Sequence, residues 1–161
     1  MIDALVEFIH QSVGAELTVF LTAILPFVEV RGAIPLGLGL GLPPFDTFIS
    51  SVIGSMLPVP FILMGIRWTF RFLRQFRPWR EVIDHITKRT LAKGDQVQKY
   101  GAWGLVLFVG IPLPGTGVWS GSLIAVLLRI PFRWALPAIF LGNVIAALAV
   151  LIVSQGIAAF F

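Results

Sequence analysis

The sequence predicts an all-α integral membrane protein built as an inverted repeat of two units, each a re-entrant broken-helix hairpin followed by a transmembrane helix. An N-terminal amphipathic helix and a basic cytoplasmic linker complete the predicted fold. Three observations predict this class. The 161 residues are 57% hydrophobic and only 12% charged, long uncharged runs alternate with runs too short to span a bilayer, and prolines and glycines interrupt both halves in the same order.

The amino-acid composition indicates a membrane protein and excludes a soluble globular one. A mean hydropathy of +0.93 is too high for a soluble globule, so we expect a single membrane domain over residues 1–161. Because so short a chain encloses little space alone, we also expect a homodimer. The chain has no cysteine, which excludes disulfides and cysteine nucleophiles. Nine of the twelve basic residues lie between Arg67 and Lys99, and membrane topology explains this pattern without nucleic acid.

Residues 1–14 predict a short interfacial helix. Their apolar residues recur at helical spacing on one face, with acidic and amide side chains off that face. No signal-peptide cleavage pattern follows, so we expect this segment to remain in the mature protein.

The first repeat, residues 16–66, contains the motif EVRGAIPLG at 29–37, which places an acid and a base inside an apolar tract. The uncharged runs on either side, 17–28 and 32–45, have 12 and 14 residues, fewer than the roughly 20 that span a bilayer. They predict a half-helix over 17–27, stopped near the midplane by Pro26 and the charged motif, and a returning half-helix over 34–42. Pro43 and Pro44 then close the hairpin.

A transmembrane helix is predicted next. Asp46 favours a helix start, and Thr47–Ile66 supplies 20 uncharged residues. Pro58 and Pro60 are expected to kink this helix unless neighbouring groups bond to the freed carbonyls. The small residues that would let another helix approach closely are Ser51, Gly54 and Ser55.

Residues 67–99 are expected to form a basic cytoplasmic linker. Nine basic residues oppose three acidic ones there, and Lys and Arg accumulate in cytoplasmic loops, so we expect a multi-pass protein of the inner membrane with this loop inside. An alternative role is contact with anionic lipid headgroups through Arg67, Arg71 and Arg74, which share a helix face.

The second repeat, residues 100–158, opens with 29 uncharged residues from Tyr100 to Leu128, which prolines and glycines interrupt in the middle. The pattern predicts a half-helix over 102–109, a turn over 112–117 and a returning half-helix over 118–128, with Thr116 as its N-cap. Trp134–Phe161 then supplies 28 uncharged residues for a final tilted span.

Prolines and glycines fall in the same order in both halves. A Pro-Phe pair follows each predicted hairpin, at 44–45 and at 131–132. An interior glycine comes 10 residues after Pro44, at Gly54, and 11 residues after Pro131, at Gly142. Because both basic clusters are expected inside, the second half has inverted topology, and such repeats place a binding site between the halves near the midplane.

The two predicted breaks supply the candidate site. Each returning half-helix begins at a break, so its N-terminal amide donors point at the midplane. Arg31 adds a positive charge and Thr116 a hydroxyl, which suits an anion such as a phosphate or carboxylate. Glu29 is the predicted proton-coupling residue, because a substrate competing for Arg31 would release Glu29 to bind a proton. The predicted substrate-binding residues are Arg31, Gly32, Pro35, Pro114, Gly115, Thr116, Gly117 and Trp119.

Other interpretations of these residues stay open. Glu29 and Arg31 are also candidates for a structural ion pair that holds the hairpin shut, and Trp119 for a packed core residue instead of a cavity wall. An enzyme is not expected, because no histidine lies in an apolar run to activate Ser120 or Ser122. No metal site and no cofactor are predicted.

The motifs EVRGAIPLG at 29–37 and PLPGTGVWSG at 112–121 resemble those of the small multidrug export family of bacterial and archaeal membrane proteins, from about residue 16 to 155. This resemblance implies export without specifying a substrate. The architecture is also similar to the DedA and VTT superfamily, whose members are implicated in moving lipids, including polyprenyl phosphate carriers. That similarity extends to Glu29, Arg31 and Pro35. The second hairpin departs from it, with Thr116 where that superfamily tends to carry arginines.

These observations predict a proton-coupled secondary transporter that moves an anionic or amphipathic substrate, such as a lipid-linked phosphate, through a midplane site between the two hairpins. Its expected partners are membrane lipids, a small-molecule or lipid substrate, protons and a second copy of the chain. Two alternatives remain. One is a small multidrug efflux protein, and the other is a non-transporting membrane scaffold or assembly factor in which the charged motif only locks the fold.

Overall fold

The computed structural model describes residues 14–73, 76–93, 95–113 and 115–160. Within these ranges every regular element is a helix, as predicted. The interfacial helix predicted for residues 1–14 lies outside the described part of the chain, which begins at Gly14. The helices are α1 (Ala15–Ile24), α2 (Glu29–Gly39), α3 (Pro44–Met56), α4 (Pro58–Leu73), α5 (Arg77–Lys93), α6 (Asp95–Tyr100), α7 (Ala102–Gly110), α8 (Val118–Leu127) and α9 (Phe132–Phe160).

Two helical stretches are long and apolar enough to cross a membrane. They are Pro44–Gly65, with a mean hydropathy of 1.8, and Phe132–Ile157, with a mean hydropathy of 2.5. They correspond to the two predicted transmembrane helices. Each begins a few residues before its predicted start, because a proline beside the first residue presets the backbone for a helix.

The first of these stretches is interrupted at Leu57, between α3 and α4, where the sequence predicts a kink before Pro58. The N–H of Leu57 donates to the carbonyl of Ile53 at 3.1 Å and to that of Gly54 at 3.3 Å. Pro58 has no N–H for the Gly54 carbonyl. Leu57 therefore bonds to the carbonyl that the proline frees, which keeps the backbone satisfied in an apolar segment.

The helices form two compact units. The first contains the described residues up to Leu57 and those from Asn143 onward, which are α1, α2, α3 and most of α9. The second is Pro58–Gly142, which contains α4 to α8 and the start of α9. The chain therefore passes from one unit to the other within both long apolar stretches.

In the first unit, α2 packs through two faces. One face contacts α3 and α9, and the other contacts α1, so α2 has apolar neighbours on both sides. The buried residues of the first contact are Val30, Ile34, Val52, Ala146 and Ala147, and those of the second are Val19, Ala23 and Ala33.

Two glycines, whose lack of a side chain lets neighbouring helices approach, bring α1, α2 and α3 into close contact. A Cβ atom on Gly37 would lie 2.6 Å from Cγ2 of Thr47 and 2.9 Å from Cγ2 of Val19. A Cβ atom on Gly54 would collide with the carbonyl oxygen of Phe20. Small residues at such contacts let apolar helices gain van der Waals packing that lipid alone does not drive.

The helix boundaries beside the charged motif 29–37 differ from the predicted ones. α1 ends at Ile24 and not at residue 27, and α2 begins at Glu29 and not at residue 34. The interruption covers only residues 25–28, so the motif predicted to stop the helix lies inside α2. The reason is that the N–H of Glu29 donates to the carbonyl of Leu25 and the N–H of Gly32 to that of Val28, so helical hydrogen bonding resumes at the charged residues.

In the second unit, α7 and α8 lie within one residue of their predicted limits, with residues 111–117 between them. A Cβ atom on Gly121 of α8 would lie 2.5 Å from Cγ2 of Val109. A Cβ atom on Gly142 of α9 would lie 2.7 Å from the carbonyl oxygen of Val106. Glycines therefore provide the close helix contacts of this unit too.

The basic segment 67–99 is helical over most of its length. It comprises the end of α4, all of α5 and most of α6. α5 packs against α4 and α8, and α6 packs against α7, with Ile83 and Val97 buried. The segment predicted as a linker is thus packed into the second unit.

Gly54→Ala is expected to lower the melting temperature of the protein in detergent, because the added methyl group collides with the Phe20 carbonyl and overpacking typically costs about 1–3 kcal/mol. Gly65→Ala is the matched control, since a Cβ atom there meets nothing within 4 Å. Thermal unfolding measures both. Equal melting temperatures for the two variants would contradict the close approach of α1 and α3.

Candidate functional site

Glu29 is a buried carboxylic acid at the start of α2, with a side chain only 5% exposed. The carbonyl of Leu25 accepts the N–H groups of both Val28 and Glu29 at 3.2 Å. This tight turn leaves Phe27 94% exposed. Glu29 itself has φ +47°, a left-handed conformation that costs a residue other than glycine about 1–3 kcal/mol. Such strain persists only where the surrounding packing enforces it, and it clusters at functional sites.

Arg31 lies two residues further along α2 and is half-buried. Its charge interacts with that of Glu29. Glu29 lies in the first turn, where the positive end of the helix dipole also favours a carboxylate. The acid and the base that the sequence predicts to act together are therefore electrostatically coupled at one helix N-terminus.

Gly32 and Pro35 shape the first two turns of α2. A Cβ atom on Gly32 would collide with Cγ1 of Val28. Glycine at this position therefore lets the first turn of α2 pack directly against the interruption at residues 25–28. Pro35 lies inside the helix and has no N–H, which leaves this turn one donor short of a regular helix. Both predicted residues thus adapt the backbone that carries Glu29 and Arg31.

Uncharged polar side chains are also buried in the first unit, and sequence reasoning missed most of them. Nδ2 of Asn143 donates to Oγ of Ser55 at 2.7 Å, and this Oγ donates to the carbonyl of Val52 at 3.0 Å. The sequence indicates only helix packing for Ser51 and Ser55. The signal available was the recurrence of hydroxyl residues at every fourth position, 47, 51 and 55, on one helix face. The buried residues are Thr18, Thr22, Thr47, Ser51, Ser55 and Asn143.

In the second unit, Thr116 closes the turn between α7 and α8. Its hydroxyl lies 2.8 Å from the carbonyl oxygens of Ile111 and Leu113 and shares its single proton between them, and its N–H donates to the carbonyl of Leu113 at 3.1 Å. The prediction that Thr116 caps α8 is therefore wrong. The N-cap is Gly117, and no side chain caps the helix. Because Gly117, with φ +138°, separates Thr116 from the helix, the hydroxyl bonds to the turn instead.

The remaining predicted residues of this turn have backbone conformations that favour glycine. Gly115 has φ +80° and Gly117 has φ +138°. Trp119, in the first turn of α8, is half-buried, and Pro114 lies outside the described residues. The predicted site residues therefore form two groups. Those of the first unit are Glu29, Arg31, Gly32 and Pro35, and those of the second are Gly115, Thr116, Gly117 and Trp119.

The helical fold of the described residues, two apolar helices of membrane-spanning length and a charged motif within an apolar tract indicate an α-helical membrane protein. The chain belongs to the family described as putative small multi-drug export protein, whose model matches residues 29–149. This match starts at Glu29 and covers both motifs, 29–37 and 112–121, so it confirms the resemblance identified from them. No curated protein and no solved structure matches the chain. The family description indicates a role in export.

Thr116→Val keeps the shape of the side chain and removes its hydroxyl, so the turn over 111–116 loses its side-chain hydrogen bonds. The expected loss of stability is about 1 kcal/mol, measured by thermal unfolding in detergent. Thr116→Ser retains the donor and serves as the matched control. A Thr116→Val protein as stable as Thr116→Ser would show that the hydroxyl does not close the turn.

Proposed function

We propose that the protein is a proton-coupled secondary transporter that moves an anionic or amphipathic substrate across the cytoplasmic membrane. Glu29 binds the proton, and Arg31 binds the charged group of the substrate. The family match over residues 29–149 supports an export role, and the two helices of membrane-spanning length support the location.

The burial of Glu29 carries this proposal. Burying an ionisable side chain within an apolar membrane segment costs free energy, and such side chains are usually functional. The left-handed backbone of Glu29 adds strain, which a purely structural ion pair does not require. Burial favours the neutral form of a carboxyl group, whereas a nearby positive charge favours the ionised form. A substrate anion bound at Arg31 offsets the positive charge beside Glu29 and so favours the protonated form of Glu29. The two movements are thereby coupled.

The predicted repeat is supported by a contact that recurs in both units. Gly54 of α3 packs on α1, against the carbonyl of Phe20 and the Cβ atom three residues later. Gly142 of α9 packs on α7, against the carbonyl of Val106 and the Cβ atom three residues later. In each unit, the helix contacted is the one that precedes the interruption.

The residues that follow these two glycines, Ser55 and Asn143, hydrogen-bond to each other at 2.7 Å. This hydrogen bond joins α3 to the part of α9 that belongs to the first unit.

The ends of α2 and α8 are also alike. Each is followed by a residue in left-handed conformation, Gly41 with φ +80° and Arg129 with φ +57°. In each case the next N–H donates to the carbonyl five residues earlier, which is the Schellman motif. A proline then precedes the next helix, so two dissimilar sequences make the same connection.

Each group of candidate residues suits an anion in its own unit. The N-terminus of α2 lies beside the charge of Arg31, and helix N-termini attract anions. The turn before α8 exposes Gly115, whose lack of a side chain lets a substrate approach the backbone.

The proposed orientation and assembly follow from charge and size. The basic segment 67–99 faces the cytoplasm, because basic residues are retained on that side. A homodimer is proposed, because a chain of 161 residues encloses little space alone and two-fold dimers are the commonest assemblies.

Anionic ligands are expected to raise the melting temperature of the purified protein, because a ligand that binds only the folded state stabilises it. The probes are polyprenyl phosphates, other anionic lipids and cationic drugs. Arg31→Ala is expected to remain folded and to lose this stabilisation. A variant that misfolds would favour the structural ion pair and the scaffold interpretation, and stabilisation by cationic drugs alone would contradict an anion site.

Glu29→Gln removes the titratable group with little change in size. Uptake of the stabilising ligand into proteoliposomes is expected to become independent of an imposed pH gradient, while ligand-induced stabilisation persists. Glu81→Gln is the control, because Glu81 is an exposed carboxylate on α5. Transport by Glu29→Gln that stays fully driven by the gradient would refute the role of Glu29.

A further inference from the structure

We propose that buried hydroxyl groups along α3 and α1 form a proton path to Glu29. The hydroxyl track consists of Thr47 and Ser51 of α3 together with Thr22 of α1. The inference rests on the proposed function, because it takes Glu29 as the proton-binding group. It adds the route by which a proton reaches a side chain that is only 5% exposed.

Three hydroxyls of the track are buried with their hydrogen-bonding capacity unused. Thr47 and Ser51 are fully buried and Thr22 is 2% exposed. Helix hydroxyls commonly donate to a carbonyl one turn back, as Thr18 and Ser122 do. Among the described residues, the hydroxyls of Thr22, Thr47 and Ser51 have no such partner. Since a buried unpaired hydroxyl is unfavourable, these three groups are suited to bind water.

The contacts of α2 with α3 define the direction of the track. Gly37, near the end of α2, lies against Thr47, near the start of α3. Val30 and Ile34, nearer the start of α2, pack with Val52, further along α3. The two helices therefore run antiparallel, with the end of α2 beside the start of α3.

In this register the track points toward Glu29. Ser51 comes level with Ala33, which is one helical turn from Glu29 along α2. The face of α2 beside the track carries the small residues Ala33 and Gly37. The track therefore leads from the start of α3 toward Glu29.

Thr22 adds a hydroxyl from α1. Val19 lies beside Thr47, since both contact Gly37, whereas Ala23 lies against Gly54, further along α3. Thr22 comes between these two contacts on α1 and is buried. Its hydroxyl is therefore placed at the interface of α1 with α3, beside the middle of the track.

The spacing of the hydroxyls suits protons better than one bound metal ion. Residues four apart on a helix are separated by about 6 Å along the axis. Two hydrogen bonds of about 2.8 Å span this distance, so one water bridges each pair of hydroxyls. Oxygen ligands of one hard cation, each about 2.3–2.6 Å from the ion, lie closer together. Along such a chain each group accepts one proton as it donates another, so the hydroxyls end unchanged.

Carboxyl groups lie at both ends of the track. Asp46 precedes Thr47 in the first turn of α3, and Glu16 lies in the first turn of α1. Both are partly exposed and belong to the end of the unit opposite Glu29, where they can collect protons from solution. Arg31 is the other ionisable group on the described elements packed here, and the part of α9 in this unit carries none.

A pH jump followed by time-resolved infrared spectroscopy measures protonation of Glu29 without a substrate. The purified full-length protein is used, and the Glu29 band is the carboxyl C=O signal that Glu29→Gln removes. Thr47→Val, which keeps the shape and loses the hydroxyl, is expected to slow the rise of this band at least about tenfold with its final amplitude unchanged. Thr47→Ser, which keeps the hydroxyl, is expected to retain the wild-type rate.

Ser51→Ala is expected to slow the rise of the Glu29 band to a similar degree. This variant serves as the test if Thr47→Val does not fold. Ser122→Ala is its matched control, because Ser122 is equally buried in the second unit and its hydroxyl bonds to the Val118 carbonyl. The rate in this control is expected to equal that of the wild type.

Equal rates for Thr47→Val and Thr47→Ser would overturn the hydroxyl track and leave the proposed function intact. A wild-type protein without a Glu29 band would overturn both the track and the role of Glu29. If the hydroxyl variants slow the rise of the Glu29 band but transport does not depend on the pH gradient, the track stands and the proposed coupling of proton and substrate fails. Equal slowing in Ser51→Ala and Ser122→Ala would also overturn the track.

Discussion

The first unit depends on the close packing of α1, α2 and α3 at Gly37 and Gly54. α1 and α2 have 10 and 11 residues, too few to cross a bilayer, and lipid cannot satisfy the backbone groups at their ends. These helices are stable in an apolar environment only when protein covers them. A side chain at Gly37 would collide with Thr47, and one at Gly54 would collide with the Phe20 carbonyl. Either collision would separate the helices, so the packing of this unit depends on glycine at both positions.

Burial of polar groups is the functional consequence of this packing. Because protein surrounds α2 on both faces, Glu29 lies among protein groups instead of lipid, and the left-handed backbone that directs it is held by its neighbours. In a low-dielectric interior the interaction of Glu29 with Arg31 is stronger than in water. The same contacts enclose the hydroxyls of α1 and α3. The proton-binding role and the proton path that we propose both depend on this one set of helix contacts.

Much of the fold was predictable from local patterns. The limits of α7 and α8 followed from the prolines and glycines between them, and the two long apolar helices followed from uncharged runs. The first interruption was misplaced because charged residues were expected to stop a helix, whereas the backbone of Glu29 bonds to Leu25. Thr116 was misassigned because a threonine before a helix suits both a cap and a turn. Glu29 and Arg31 could be singled out as candidates because ionisable residues are rare in apolar tracts.

The sequence by itself determined which segments are helical, which are apolar enough for a membrane, and which charged residues to regard as a site. These properties depend on residue type and short spacing. Only the tertiary structure decided that Glu29 is buried, that Thr22, Thr47 and Ser51 are enclosed without a partner among the described residues, and that Asn143 bonds to Ser55. The last two residues are 88 positions apart. Burial and pairing of this kind arise from contacts between distant segments, which no local pattern specifies.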